Sequence, residues 1–146
     1  MAGEAIDITR EELPFPPAVV VKARSRLSIA TLLQFVSLLA AVILFVIADG
    51  GRPAPWTTPA AWTALGIAIV LQIVMVALAY RIVAAIFSPP VGVVVAIAAS
   101  IPVVHLPLLV VVDLMAVVQL QKLRLPMGSF GGTGKTMRTI RERGWD

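Results

Sequence analysis

Three ionisable residues lie inside long apolar stretches of this sequence: Arg81, His105 and Asp113. Charged groups at such positions are costly, and in membrane proteins they mark proton relays, ion pathways or ion pairs between helices. Asp113 lies nine residues before Lys122, and Arg81 lies six residues before Phe87. If both helices run towards the same side, their depths are similar, so we predict an Arg81–Asp113 ion pair. Transport through these two residues is the alternative.

His105 lies between Pro102 and Pro107, and two environments are open to it. In a turn at the membrane surface the ring would be solvated, whereas in one kinked helix it would lie deep. There it would share a cavity with Asp113, eight positions away. The chain has one histidine and no cysteine, so we expect no metal site and no cofactor. No nucleophile–base pair or carboxylate pair is visible, and we expect that the protein is not an enzyme.

The composition places these residues in a membrane protein. Of the 146 residues, 59% are hydrophobic and 14% are charged, whereas soluble domains average about 45–50% and about 25%. One domain of this length cannot bury so much apolar surface, so the excess must face lipid. This excludes a soluble enzyme, a disulfide scaffold and a disordered chain. We predict an all-α integral membrane protein with the lipid bilayer as its surroundings.

Hydropathy and proline positions predict four helices in a bundle over residues 27–122. The predicted ranges are 27–48, 60–87, 91–101 and 106–122. The first two are long enough to cross a hydrocarbon core of about 30 Å. A cleaved signal peptide is the alternative for the first, but its apolar region is usually about 7–15 residues and lies nearer the N-terminus.

The third apolar region allows two topologies. Pro102 and Pro107 interrupt it, either kinking one over-long helix or separating the arms of a short hairpin. Lys and Arg are concentrated in the two tails, while the loop at 49–59 carries only Arg52. Cytoplasmic segments carry the basic excess, so both tails are predicted to be cytoplasmic and the number of crossings even. This favours the hairpin. Three crossings with a kinked helix remain the alternative.

The two tails contain no clear catalytic or ligand-binding motif. Residues 1–26 are predicted to be a cytoplasmic lead that turns helical from about Pro17, and residues 123–146 a basic, glycine-rich cytoplasmic tail. The stretch ending Gly134-Lys135-Thr136 resembles a phosphate loop, but Ser129 stands where that motif requires glycine, so we interpret it as a linker. The basic end is expected to rest on anionic headgroups, and we expect no nucleic-acid partner.

The segment from Ile101 resembles a family of small, uncharacterised bacterial inner-membrane proteins. The residues that carry the resemblance are Pro102, Leu106, Leu109, the segment Val112-Asp113-x-x-Ala116, Leu120 and the closing Met127-Gly128-Ser129-Phe130-Gly131. This sequence departs from the family pattern at three positions: it has Asp113 in place of Asn, Val117 in place of Thr and Arg124 in place of Gly. The match covers about a fifth of the chain. It implies a multi-span protein of the bacterial cytoplasmic membrane and implies no activity.

From these observations we expect a structural or accessory membrane protein. It would associate with itself as a homo-oligomer or with a larger membrane-protein partner. A small transporter or channel subunit that uses Asp113 and Arg81 is the alternative.

Overall fold

The computed structural model describes residues 12–50, 54–126 and 133–145. Five α-helices are present in this part of the chain: α1 (Pro17–Asp49), α2 (Thr57–Ile86), α3 (Pro89–Ala99), α4 (Pro102–Lys122) and α5 (Thr133–Glu142). The predicted all-α class is confirmed, but the helix count is five because the C-terminal tail contains α5. The N-terminal lead up to residue 11 and the glycine run at 127–132, with Ser129, lie outside the described residues.

Three of these helices have the length and composition of membrane spans. They are α1, α2 and the Val104–Lys122 part of α4. Large apolar side chains on all three face outwards, among them Phe35, Ile73 and Leu114. Exposed apolar surface on this scale is unfavourable in water and favourable in lipid. The protein therefore has three helices suited to crossing a membrane, with the shorter apolar α3 between them.

Prolines begin helices in this chain more often than they end them. Pro17, Pro89 and Pro102 each occupy the first turn of a helix. Helix α1 begins at Pro17, the residue from which the lead was predicted to turn helical, whereas α3 and α4 start two and four residues earlier than predicted. Proline is tolerated there because the first backbone N–H groups of a helix have no partner within it, and its fixed φ suits the helix. Pro107 lies inside α4 without ending it. The predicted ranges of α3 and α4 leave out Pro89 and Pro102 because these prolines were taken as helix breaks.

Helices α1 and α2 are antiparallel along their whole length. At one level the Thr31 hydroxyl lies 3.3 Å from the Met75 sulfur. Near the other end the rings of Phe45 and Trp62 meet edge to face, with centroids 5.3 Å apart. Such aromatic pairs add roughly 0.5–1.5 kcal/mol beyond the burial of their area. The two contacts fix the register between the helices.

Helices α3 and α4 form a hairpin beside this pair. At Gly92 of α3, a Cβ atom would lie 3.0 Å from Ala84 and from Tyr80 of α2, so the glycine permits close helix packing. Helix α4 then runs antiparallel to α1. Asp113 contacts Arg24, while Leu106, earlier in α4, and Leu38, later in α1, line one groove. The ascending arm α3 has 11 residues and rises only about 16 Å.

The packed core is concentrated at one end of the bundle. It contains Val20 of α1, Ile82 of α2 and Leu120 of α4, all fully buried. Beyond the level of the α3–α4 turn, α1 and α2 pack only on each other: past Gln34 the buried residue of α1 is Ala41. Four helices therefore lie together at the end that carries both tails, and two continue beyond it.

Helix α5, which lies in the predicted basic tail, packs against this core. Ile140 is fully buried and Trp145 is buried in the same cluster. The Arg143 guanidinium donates a 3.0 Å hydrogen bond to the Leu123 carbonyl and lies 4.8 Å from the centroid of the Trp145 ring. The hydroxyl of Thr136, a residue of the phosphate-loop-like stretch, donates to the Pro126 carbonyl. These contacts hold α5 against the end of α4.

Candidate functional site

Asp113 is bound on both carboxylate oxygens by one arginine, Arg24 of α1. The Arg24 Nε donates to Oδ1 at 2.7 Å, and Nη2 donates to Oδ2 at 3.2 Å. The side chains are 18% and 33% exposed respectively. A two-point arginine–carboxylate pair is among the stronger charge-assisted interactions, and its planar geometry fixes both side chains. The pair therefore ties the hairpin to the first span.

The predicted Arg81–Asp113 pair is wrong. Arg24 and Arg81 lie at similar levels because α1 and α2 are antiparallel, but the carboxylate faces α1. The sequence reading had treated Arg24 as a flanking tail charge. Helix α1 begins at Pro17, so Arg24 is already two turns inside it, one turn before the buried Leu27. That spacing was the available signal, because residues three apart share a helix face.

A groove of about 670 Å³ runs between α1 and α4, next to this ion pair. Its lining is mainly apolar, with four polar residues: Ser28, Thr31, Gln34 and Asp113. The Ser28 hydroxyl donates to the Arg24 carbonyl at 3.2 Å, and the Thr31 hydroxyl donates to the Leu27 carbonyl at 2.8 Å. Both hydroxyls are thus satisfied by their own helix, as is usual for Ser and Thr in apolar helices.

Gln34 differs from the other polar residues of the groove. It is buried, with 5% of its surface exposed, whereas the other three are half-buried. It lines the groove between α1 and α4, where an amide can form hydrogen bonds to a neighbouring helix.

Arg81 is exposed on the opposite side of α1 from the groove. It lines a small cavity of about 190 Å³ between α1 and α2, together with Lys22 and Arg26. The structure thus separates the two predicted charged residues. Asp113 belongs to an ion pair, and Arg81 belongs to a group of cations.

His105 is buried in the turn of the hairpin, with 2% of its surface exposed. It thus lies in the turn, as in the first of the two predicted environments, but its ring is not solvated there. Its Nδ1 lies 2.7 Å from the Ala99 carbonyl, and because a carbonyl only accepts, Nδ1 carries the proton. No partner for Nε2 is present among the described residues. His105 therefore joins the end of α3 to the first turn of α4, and its ring bonds Ala99 and not Asp113.

The hydrogen bonds at this turn satisfy its backbone. The Ser100 amide donates to the Ala96 carbonyl at 3.0 Å, and the Ile101 amide donates to Ala98 at 3.2 Å. The His105 amide in turn donates to the Ile101 carbonyl at 2.9 Å. Because lipid offers no hydrogen-bond partners, a turn whose amides are paired within the protein is compatible with a place inside a bilayer.

Across the residues that the structure describes, no group of three His, Cys, Asp or Glu side chains could hold a metal ion. Comparison with known proteins finds no matching family, no matching curated protein and no matching solved structure.

Proposed function

We propose that this chain is a structural or accessory protein of a membrane, in which two spans carry a re-entrant hairpin. The observation that carries the proposal is the two-point ion pair between Arg24 and Asp113. It occupies both oxygens of the carboxylate and joins α4 to α1. An acid held in this way fixes helix packing, whereas a proton carrier must exchange its proton with water or a relay.

The length of α3 supports the re-entrant form. Its rise of about 16 Å is half of a hydrocarbon core of about 30 Å. Helix α4 returns along α1 from the level of Leu38 and Leu106. The turn then lies near the middle of the bilayer, where the His105–Ala99 hydrogen bond and the paired amides keep it compatible with lipid.

Charge supports an orientation with both tails in the cytoplasm. The Arg24–Asp113 contact and the packing of α5 on the core bring both tails to one end of the bundle. The tails carry all of the chain's Lys and Arg except Arg52, Arg81 and Lys122, which is the last residue of α4. By the positive-inside tendency this end faces the cytoplasm. The resemblance of the C-terminal segment to bacterial proteins points to the bacterial cytoplasmic membrane.

A transporter or channel subunit has less support, because its two charged residues do not share a pathway. Arg81 lies with Lys22 and Arg26 on one side of α1, while Asp113 lies on the other. The accessory role requires an assembly, so we expect co-purification in mild detergent either with a second copy or with a larger membrane protein.

The test compares the wild-type chain with Asp113→Asn, both purified and reconstituted into liposomes. We expect the variant to melt at a lower temperature in detergent, and we expect proton flux in both to equal that of empty liposomes. Proton or solute flux that is present in the wild type and lost in a variant of unchanged stability would overturn the proposal and favour the transporter.

A further inference from the structure

Three basic side chains line one small cavity between α1 and α2: Lys22, Arg26 and Arg81. The remaining lining residues are apolar: Val19, Ala23 and Leu78. In the part of the chain that the structure describes, none of the three cations forms an ion pair or a hydrogen bond with a protein group. Their neighbour Arg24, in contrast, is fully engaged by Asp113.

The cavity lies at the level where both spans leave their apolar stretches. Arg26 directly precedes the uncharged run 27–48, and Arg81 directly follows the uncharged run 60–80. The Thr31–Met75 contact fixes the register of the two helices. Arg26 lies five residues from it and Arg81 six, so both are about 8–9 Å towards the end that carries the tails. Lipid phosphates lie at such a boundary between hydrocarbon and water.

Three like charges in one cavity repel each other, and nothing in the described protein offsets that repulsion. Lys22 and Arg26 are four residues apart on one helix face, a spacing at which like charges are unfavourable. Arg81 adds a third cation from the second helix. A bound anion would convert this repulsion into attraction. Guanidinium groups bind phosphate oxygens with two parallel hydrogen bonds, and a lysine adds a point charge.

We propose that Lys22, Arg26 and Arg81 form a binding site for a phosphate-bearing anion, which the headgroup of an anionic membrane phospholipid supplies. Basic pockets between transmembrane helices on the cytoplasmic side are suited to such headgroups. The apolar neighbours Val19 and Leu78 give the acyl chains a surface beside the charges. A free phosphate ion can bind the same cations, but it has no acyl chain to pack on Val19 and Leu78.

The experiment titrates the purified full-length chain in a non-ionic detergent with three probes and follows its melting temperature. The probes are dioleoyl phosphatidylglycerol, dioleoyl phosphatidylcholine and inorganic phosphate. We expect phosphatidylglycerol to raise the melting temperature and phosphatidylcholine to leave it unchanged. Since each basic residue near an anionic surface adds about fivefold to affinity, Arg81→Gln should weaken the lipid about fivefold. The Lys22→Gln, Arg26→Gln, Arg81→Gln variant should weaken it about 100-fold.

Two further variants separate this site from general attraction to a basic protein. Arg81→Lys keeps the charge and should keep most of the affinity. The matched control neutralises Lys122, Lys135 and Arg138, which are exposed and outside the cavity, and should bind the lipid as the wild type does. Without lipid, the cavity variants should melt no lower than the wild type because repulsion is removed.

Equal weakening in the control and in the cavity variant would overturn the proposal in favour of diffuse charge attraction. Stabilisation by inorganic phosphate at the concentrations at which the lipid acts would overturn the lipid source and assign a water-soluble phosphate compound. Stabilisation by phosphatidylcholine as strong as that by phosphatidylglycerol would contradict the role of the cations.

Discussion

The Arg24–Asp113 pair permits a quantitative prediction about stability. Replacing Asp113 by Ala leaves a partly buried guanidinium that has lost both of its hydrogen bonds. Breaking a fully buried pair costs about 3–5 kcal/mol, and exposed pairs contribute about 0–1 kcal/mol. With side chains 18% and 33% exposed, this pair lies between these limits. We expect Asp113→Ala to lower the free energy of unfolding by about 2 kcal/mol.

The assay is a double-mutant cycle of Arg24→Ala, Asp113→Ala and their combination, with unfolding followed by circular dichroism on titration with a denaturing detergent. We expect a coupling energy of about 1–2 kcal/mol, because the combined variant leaves no unpaired charge. The chain offers a matched control in Arg138–Glu142, a 3.5 Å pair one turn apart on α5 with side chains 81% and 65% exposed. Its coupling should be about 0.3–0.5 kcal/mol. A coupling for Arg24–Asp113 no larger than that of the control would refute the reasoning.

Three further predictions follow from packing and charge. Gly92→Val should destabilise the protein by about 1–3 kcal/mol, because even a Cβ would lie 3.0 Å from Ala84; Gly66→Val, at a position with no atom within 4 Å of a Cβ, should change the same unfolding measurement little. Gln34→Leu should raise the free energy of unfolding by about 1 kcal/mol, since burying an amide costs more than burying an apolar side chain of similar size, and a loss of stability would show that the hydrogen bonds of this amide outweigh that cost. Reporter fusions at both termini should be active only in the cytoplasm, and a C-terminal reporter active on the outside would contradict the re-entrant hairpin.

The sequence predicted the spans well because composition alone reports contact with lipid. It predicted the starts of α3 and α4 less well, since Pro89 and Pro102 were taken as helix breaks although proline is compatible with a first turn. Helix α5 was missed because its ten residues are too short and too basic to stand out as a span. Its apolar face, which includes Ile140, predicts a packing contact only when the core against which it packs is known.

The ion pair illustrates which information a single sequence lacks. The number of residues along a helix gives the depth of a side chain in the membrane. This depth correctly predicted that an arginine lies at the level of Asp113. Two arginines, Arg24 and Arg81, satisfy that condition on adjacent helices. Choosing between them requires the rotation of each helix about its axis and the side on which α4 packs. These depend on the packing of all the helices, which local patterns do not contain.

The unequal number of helices along the bundle has a consequence for the membrane. If the hairpin is re-entrant, four helices displace lipid from the leaflet next to the tails, and only α1 and α2 displace lipid from the opposite leaflet. The molecule is then a wedge with a larger cross-sectional area on the tail side. Many copies at high density would expand that leaflet relative to the other, and the bilayer would become convex towards the tails.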